Sequence, residues 1–187
     1  MQKTWFVTGA ASRLGADIVN AALAQGDYVV ATDGDAASLG IGLSQADDHR
    51  LFVLLLDVAD GRAVTAALNA AVERFGRLDV VVHGEPLRQA AGSSGRWPET
   101  ELVRGLFNVT RAALPAMRAQ HGGRIHHLVP PPKAGVASLF SIAGFCAAVG
   151  ADVVADGVSV TAVEPCEAHT RIFAEWAQGE DELLEEA

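Results

Sequence analysis

The chain has 187 residues, half of them apolar and a fifth charged, with a formal net charge of −9. That length suits one well-buried domain, here residues 1–187, and is short for two. The acidic balance with scattered arginines excludes nucleic acid and anionic lipid as natural partners.

No apolar run approaches the roughly 18 residues of a membrane span, and the N-terminus lacks a signal-peptide pattern, so the expectation is a cytoplasmic protein away from membranes. Cys146 and Cys166 have no metal-ligand spacing and read as buried thiols; no metal site is expected.

In chain order, an apolar run at 4–8 predicts a first strand, which leads into "FVTGAASRLG" at 6–15. Thr8 and Gly9 make a turn, and Leu14, Ile18 and Ala22 start a helical stripe. A strand, a glycine turn and a helix in this order cradle a pyrophosphate, because small residues let the backbone touch it. Gly9, Ser12, Arg13, Leu14 and Gly15 are the candidate phosphate-end residues. Arg13 stands where a middle glycine belongs, and either grips the ligand or obstructs it.

The second strand, 28–32, brings Asp33 to its tip, 18 residues beyond Gly15. A carboxylate there accepts from an adenosine ribose and repels a 2′-phosphate, and Gly34 supplies no cation for that phosphate. Asp33 and Asp35 equally well cap the next helix, 35–47, whose pattern is the weakest in the chain. After the third strand, 51–56, Asp57 faces an adenine or caps the helix beginning near Asp60.

A helix with Val64, Leu68, Val72 and Phe75 on one face precedes a fourth strand at 78–82, ending beside His83. A long helix carries Leu102, Leu106, Val109, Ala113 and Met117. Then come a strand at 124–129 containing His126 and His127, a helix with Leu139, Ile142, Cys146, Val149 and Val153, and a strand at 158–163. Residues 165–187 form a tail whose last eight positions hold Glu180, Asp181, Glu182, Glu185 and Glu186; without them the net −9 becomes −4.

Alternation of continuously apolar strands with helices predicts an α/β fold. The expected form is a Rossmann-like doubly wound parallel sheet of about six strands in the order 3-2-1-4-5-6, with helices on both faces. Its ligand crevice lies at the C-terminal ends of the strands.

Several stretches resemble the short-chain dehydrogenase/reductase family. "VTGAASRLG" is similar to its TGxxxGxG turn, and "LDVAD" at 56–60 to its adenine-side Asp-Val pair. "ERFGRLDVVV" at 73–82 resembles the approach to its Asn-Asn-Ala-Gly motif. "GLFNVTRAALPAMRAQHGGRI" resembles its long interface helix and fifth strand, and "GVSVTAVEP" with Thr170 its sixth strand and Pro-Gly turn.

The resemblance implies hydride transfer between a nicotinamide and a carbonyl or alcohol, with a tyrosine as acid/base, a lysine that lowers its pKa, a serine and an asparagine. This chain has one tyrosine, Tyr28, and two lysines, Lys3 and Lys133, so a Tyr-x-x-x-Lys dyad does not occur in it. Phe140 and Gly144 stand at the dyad positions, Pro130 or a neighbour at the serine and Leu102 at the asparagine. "HGEP" at 83–86 replaces Asn-Asn-Ala-Gly, and Cys166 the turn glycine. The family's seventh strand is expected to be missing.

Other groups offer little substitute. His83 and His127 are the candidate acid/base residues, although core hydrogen bonding is the competing account. His126 and His127 are adjacent on a strand and must point to opposite faces. Ser138 reads as a helix N-cap, Ser141 as helical and Lys133 as solvated.

The resemblance also implies subunit interfaces on the helices at 99–120 and 138–155. The second is apolar throughout (Phe140, Ile142, Phe145, Cys146, Val149, Val153, Val154), and a helix apolar all round must be buried by something. The expected function is a pseudoenzyme or non-catalytic subunit, in a homo-oligomer or paired with an active relative. It binds NAD(H) weakly or not at all, with NADP(H) disfavoured. The alternatives are an NAD(H)-dependent oxidoreductase with altered catalytic groups, a cofactor-free lyase or isomerase, and a small-molecule sensor.

Overall fold

The computed structural model describes residues 2–35, 49–84, 99–129, 136–164 and 172–173, with backbone alone for 99–102 and 136–140. Six strands, β1 (Thr4–Thr8), β2 (Tyr28–Asp33), β3 (Leu51–Leu55), β4 (Val80–His83), β5 (Gly123–Leu128) and β6 (Val158–Val163), form one sheet. Their order is β3-β2-β1-β4-β5-β6, and all five pairings are parallel. The order and the doubly wound architecture are those expected.

Four helices accompany the sheet among the described residues: α1 (Arg13–Ala24), α2 (Gly61–Phe75), α3 (Glu99–Ala119) and α4 (Val136–Val153). Each has a local cause. Ser12 caps α1, its hydroxyl accepting from the Gly15 amide, and Asp60 caps α2 by accepting from Arg62 and Ala63. Gly76 ends α2 at φ 81°, a left-handed conformation that costs glycine little.

Phe6, Val81, Ile125 and Val160 face one side of the sheet and pack against Leu68 of α2, Val109 and Met117 of α3, and Ile142 and Cys146 of α4. Trp5, Val7, Val80 and Val82 face the other side, against Ile18, Val19 and Ala22 of α1 and against Ile172. Side chains of this size contribute about 1.5–3 kcal/mol each when fully buried. Both faces are therefore covered over the middle of the sheet, which is why its strands read as unbroken apolar runs, while at the β3 edge Val53 and Leu55 are exposed.

Three expectations change. The fourth strand starts at Val80 rather than 78: Leu78 is buried ahead of it, and the Asp79 carboxylate accepts from the Thr4 amide instead of pointing out of a ladder. Residues 154–156 are a separate 3₁₀ turn after α4. Finally, the described part of α4 is two-sided rather than apolar throughout. Ile142, Cys146 and Val153 are buried in the chain's own core, while Ser141, Ala143, Gly144, Ala147, Ala148, Ala151 and Asp152 are exposed, as is Val154 just beyond the helix. The weak helix at 35–47, the loops holding Pro130, Lys133, Cys166 and Thr170, and the acidic tail lie outside the described residues, as do the side chains of Leu102, Ser138 and Phe140.

Candidate functional site

Strand order reverses between β1 and β4, the switch point beside whose C-terminal strand ends a doubly wound sheet places its crevice. The floor of this crevice needs two glycines. A Cβ on Gly15 would lie 2.2 Å from the Gly9 carbonyl oxygen, and one on Gly84 would lie 2.7 Å from that of Thr8. Gly84 donates to the Thr8 carbonyl and to its hydroxyl, both at 3.2 Å, which fastens the end of β4 to the end of β1. Gly9 itself sits at φ 65°.

Around this floor the candidate phosphate-end residues come together. The Ser12 hydroxyl donates to Gly9 O at 2.8 Å and accepts from the Gly15 amide at 3.0 Å, which sets the turn against the helix. Arg13 is the first residue of α1 and is exposed; Leu14 is half-buried against the α1 face of the core. Asp33 is buried at the tip of β2, where its carboxylate accepts from Ala11 in the glycine turn at 3.1 Å and from Asp35 at 3.0 Å. Asp33 thus ties the glycine turn to the tip of β2 and closes its own loop; the helix it was expected to cap lies outside the described residues.

The adenine-side pair separates. Asp57 is exposed and accepts from Ala59 at 2.9 Å, while the cap of α2 is Asp60. Val58 has its side chain buried in the core, and its carbonyl accepts from the Asn108 amide of α3 at 2.9 Å. The same Nδ2 reaches Ala59 O at 3.2 Å. Glycines make this approach possible: a Cβ on Gly61 would stand 2.9 Å from Asn108 Oδ1, and one on Gly105 3.0 Å from Val58 Cγ2.

The histidines lie at the ends of β4 and β5 but inside the protein. His83 and His127 point to the α3 side, with Nδ1 atoms 3.2 Å apart. His127 Nε2 is 2.9 Å from the Thr110 hydroxyl, which donates to Leu106 O at 2.8 Å. With its proton committed to Leu106, Thr110 accepts from His127 Nε2–H; His127 Nδ1 then accepts from His83 Nδ1–H. Burial pushes His83 down to about 4, and burial with the neighbouring His83 and His126 holds His127 well below the ordinary 6.5. His83 Nε2 is buried without a hydrogen-bond partner, against Gly105. His126 faces away, toward the α1 side, with Nδ1 2.8 Å from the Thr161 hydroxyl.

Sequence reasoning missed Asn108 and Thr110. Their signal was present: they are polar positions interleaved with the buried stripe Leu106, Val109, Ala113 of α3, where an unpaired polar group is costly. Tyr28 opens β2 beside Thr4, at the end of the sheet away from the crevice, and stacks on Phe75 at 4.7 Å. Among the described residues no three His, Cys, Asp or Glu side chains converge to hold a metal, and no helix is long and apolar enough to cross a membrane.

The cradle fits the adenosine and pyrophosphate part of a dinucleotide on two counts: glycines where a Cβ would collide, and a carboxylate at the tip of β2. Comparison with known proteins agrees in kind. The family model described as short chain dehydrogenase matches residues 3–181. The oxidoreductase BOA17 of Botryotinia fuckeliana (strain B05.10) is 30% identical over 180 residues, covering 88% of this chain and 65% of that protein. The 2-dehydro-3-deoxy-L-rhamnonate dehydrogenase (NAD(+)) of Sphingomonas sp. (strain SKA58) is 28% identical over 195 residues, covering 95% and 77%. A crystal structure of a short-chain dehydrogenase from Streptomyces avermitilis superposes with a TM-score of 0.70 at 28% identity, over 88% of this chain and 65% of that one. The chain thus spans just under two thirds of the length of the first and the last of these.

Proposed function

Because this chain belongs to the short chain dehydrogenase family, we propose that it keeps the adenosine end of a nicotinamide-dinucleotide site and lacks the family's tyrosine-dependent hydride transfer. It works as a non-catalytic subunit. The observation that carries this reading is the place of Tyr28, the one tyrosine in the chain, at the far end of β2 from the crevice.

When bound, a nicotinamide dinucleotide supplies or accepts a hydride. In this chain Gly9, Ser12 and Gly15 would receive its pyrophosphate, Asp33 its ribose, and Asp57 with the Val58 backbone its adenine. Asp33, followed by Gly34, favours NAD(H) over NADP(H). Arg13 adds a side chain where close approach is needed, so affinity is weak.

The competing reading, an oxidoreductase, lyase or isomerase run by histidine chemistry, has the His83–His127 pair in its favour. Against it, both rings are buried and held neutral by desolvation, and His83 Nε2 points at Gly105. For assembly, the outer sides of α3 and α4 are the surfaces proposed, joining either copies of this chain or this chain and an active relative.

Titration calorimetry with NADH and NADPH, beside an assay of alcohol and ketone turnover, tests the proposal. Weak NADH binding, weaker NADPH binding and no turnover are expected. Steady NADH-linked turnover that disappears in His83→Ala would overturn it in favour of the histidine enzyme.

A further inference from the structure

Thr8, His83 and His127 stand in register on three neighbouring strands, β1, β4 and β5, at the crevice end of the sheet. Each lies two residues beyond Phe6, Val81 or Ile125, so all three side chains take the same, α3-facing side. All three are buried, and a buried polar row must satisfy itself. The order of donation begins on α3. The Thr110 hydroxyl gives its proton to Leu106 O and receives that of His127 Nε2, which leaves His127 Nδ1 to accept from His83. His83 is followed by Gly84, whose amide donates to the carbonyl and the hydroxyl of Thr8. Thr8 leads into Gly9, whose carbonyl receives the Ser12 hydroxyl. One line of contacts therefore runs from α3 through β5, β4 and β1 to the glycine turn. Asn108, two positions before Thr110, holds the Val58 and Ala59 carbonyls, so α3 reaches both ends of the proposed nucleotide site.

We propose that Thr110 and His127 are positioning residues of that site, which through His83 and Gly84 fix where the turn at 9–12 meets a pyrophosphate. The inference rests on the dinucleotide reading above and gives it a support outside the cradle. Both ends of the line are pinned. Thr110 is tied to its own helix, and a Cβ on Gly84 would stand 2.7 Å from Thr8 O. Between them His127 donates at one ring nitrogen and accepts at the other. A ring released at Thr110 therefore loosens its neighbour on β4 instead of absorbing the change, because bonds in a buried line support one another.

Amide hydrogen exchange and NADH titration calorimetry test it on the full chain in Thr110→Val, Thr110→Ala and Thr110→Ser, with folding checked by circular dichroism. Thr110→Ala serves where the valine does not fit. The Val29 amide, bonded to Arg50 O at the far end of the sheet, is the reference for lost global stability. Without the hydroxyl, exchange at Gly84 and Ser12 should quicken about tenfold beyond the acceleration shared with Val29, the equivalent of one hydrogen bond. NADH affinity should fall by a similar factor. Affinity is read where each variant is folded, so lost stability alone does not move it. Thr110→Ser should restore both readouts. Gly84 exchange that only follows Val29, or NADH affinity unchanged in a variant whose Gly84 has loosened, overturns the inference. A parent that binds no NADH overturns the dinucleotide reading, while the Gly84 rates still decide whether α3 positions the turn.

Discussion

His83 and His127 face each other across the ends of two neighbouring strands, Nδ1 to Nδ1 at 3.2 Å, with the proton between them given by His83. Such a contact requires His127 to be neutral, since a proton on its Nδ1 would set donor against donor, whereas a second proton on His83 would sit on the buried Nε2, which has no hydrogen-bond partner. The pair is therefore a stability element with a defined pH window. Both folded-state values lie below the ordinary 6.5, so the unfolded chain takes up protons first as pH falls. For His83 the contribution is complete above pH 6.5 and is lost toward pH 4, and for His127 it is likewise lost as pH falls below 6.5. Each ring accounts for up to about 1.4 kcal/mol per pH unit inside that window. Urea unfolding at a series of pH values checks it: the slope should flatten in His83→Asn, and an unchanged slope would show that other groups dominate.

Thr110 terminates the same chain of hydrogen bonds. In Thr110→Val the His127 Nε2–H keeps its burial and loses its acceptor, at a cost of about 1–3 kcal/mol. Thr110→Ser keeps the hydroxyl and should recover most of that loss. Equal unfolding midpoints for parent and valine variant would contradict the proton assignment.

Asn108 ties α3 to the Val58–Ala59 backbone through one amide group. Removing it in Asn108→Ala leaves two carbonyls short of a donor and should cost about 1–3 kcal/mol. Amide hydrogen exchange should quicken around residues 58–63, and NADH affinity should fall with it. Exchange confined to α3 would mean that the tie does not hold the turn.

Arg13 is open to a test in the gain direction. A cation in the first turn of a helix is unfavourable by about 0.3–1 kcal/mol, and in the proposed site its side chain would obstruct the approach of a pyrophosphate. Arg13→Gly should therefore tighten NADH binding in calorimetry. Loss of affinity instead would identify the arginine as a clamp on the phosphates.

Strand positions and order were legible because both faces of a parallel sheet are buried, which writes six apolar runs into the sequence. The glycine turn was legible for a similar reason: Gly15 is required by a 2.2 Å approach that admits no side chain. Less legible was the direction of individual side chains. Asp57 reads either as an adenine-facing residue or as the cap of the helix beginning near Asp60, and the helix start gives the cap to Asp60 itself. In α4, alanine and phenylalanine count alike as apolar, so the sequence did not show that the larger buried groups turn inward and small ones outward. The union of His83 with His127, 44 positions apart, depends on β4 and β5 being neighbours with His83 opposite His127, a matter of register that no local pattern records.

The stacking of Trp5 on Phe173 has a consequence for how the protein is made. β1 lies in the middle of the sheet and is the earliest strand in the chain, yet one of its side chains is completed by a ring that leaves the ribosome long afterwards. β1 also waits for β4 before its second edge is paired. During synthesis the second edge of β1 therefore stays unpaired until residue 83 has emerged, and the part of Trp5 that Phe173 covers stays open for much longer, although α1 packs on the same face early. Nascent chains of this protein should engage holdase chaperones until residue 173 is clear of the exit tunnel.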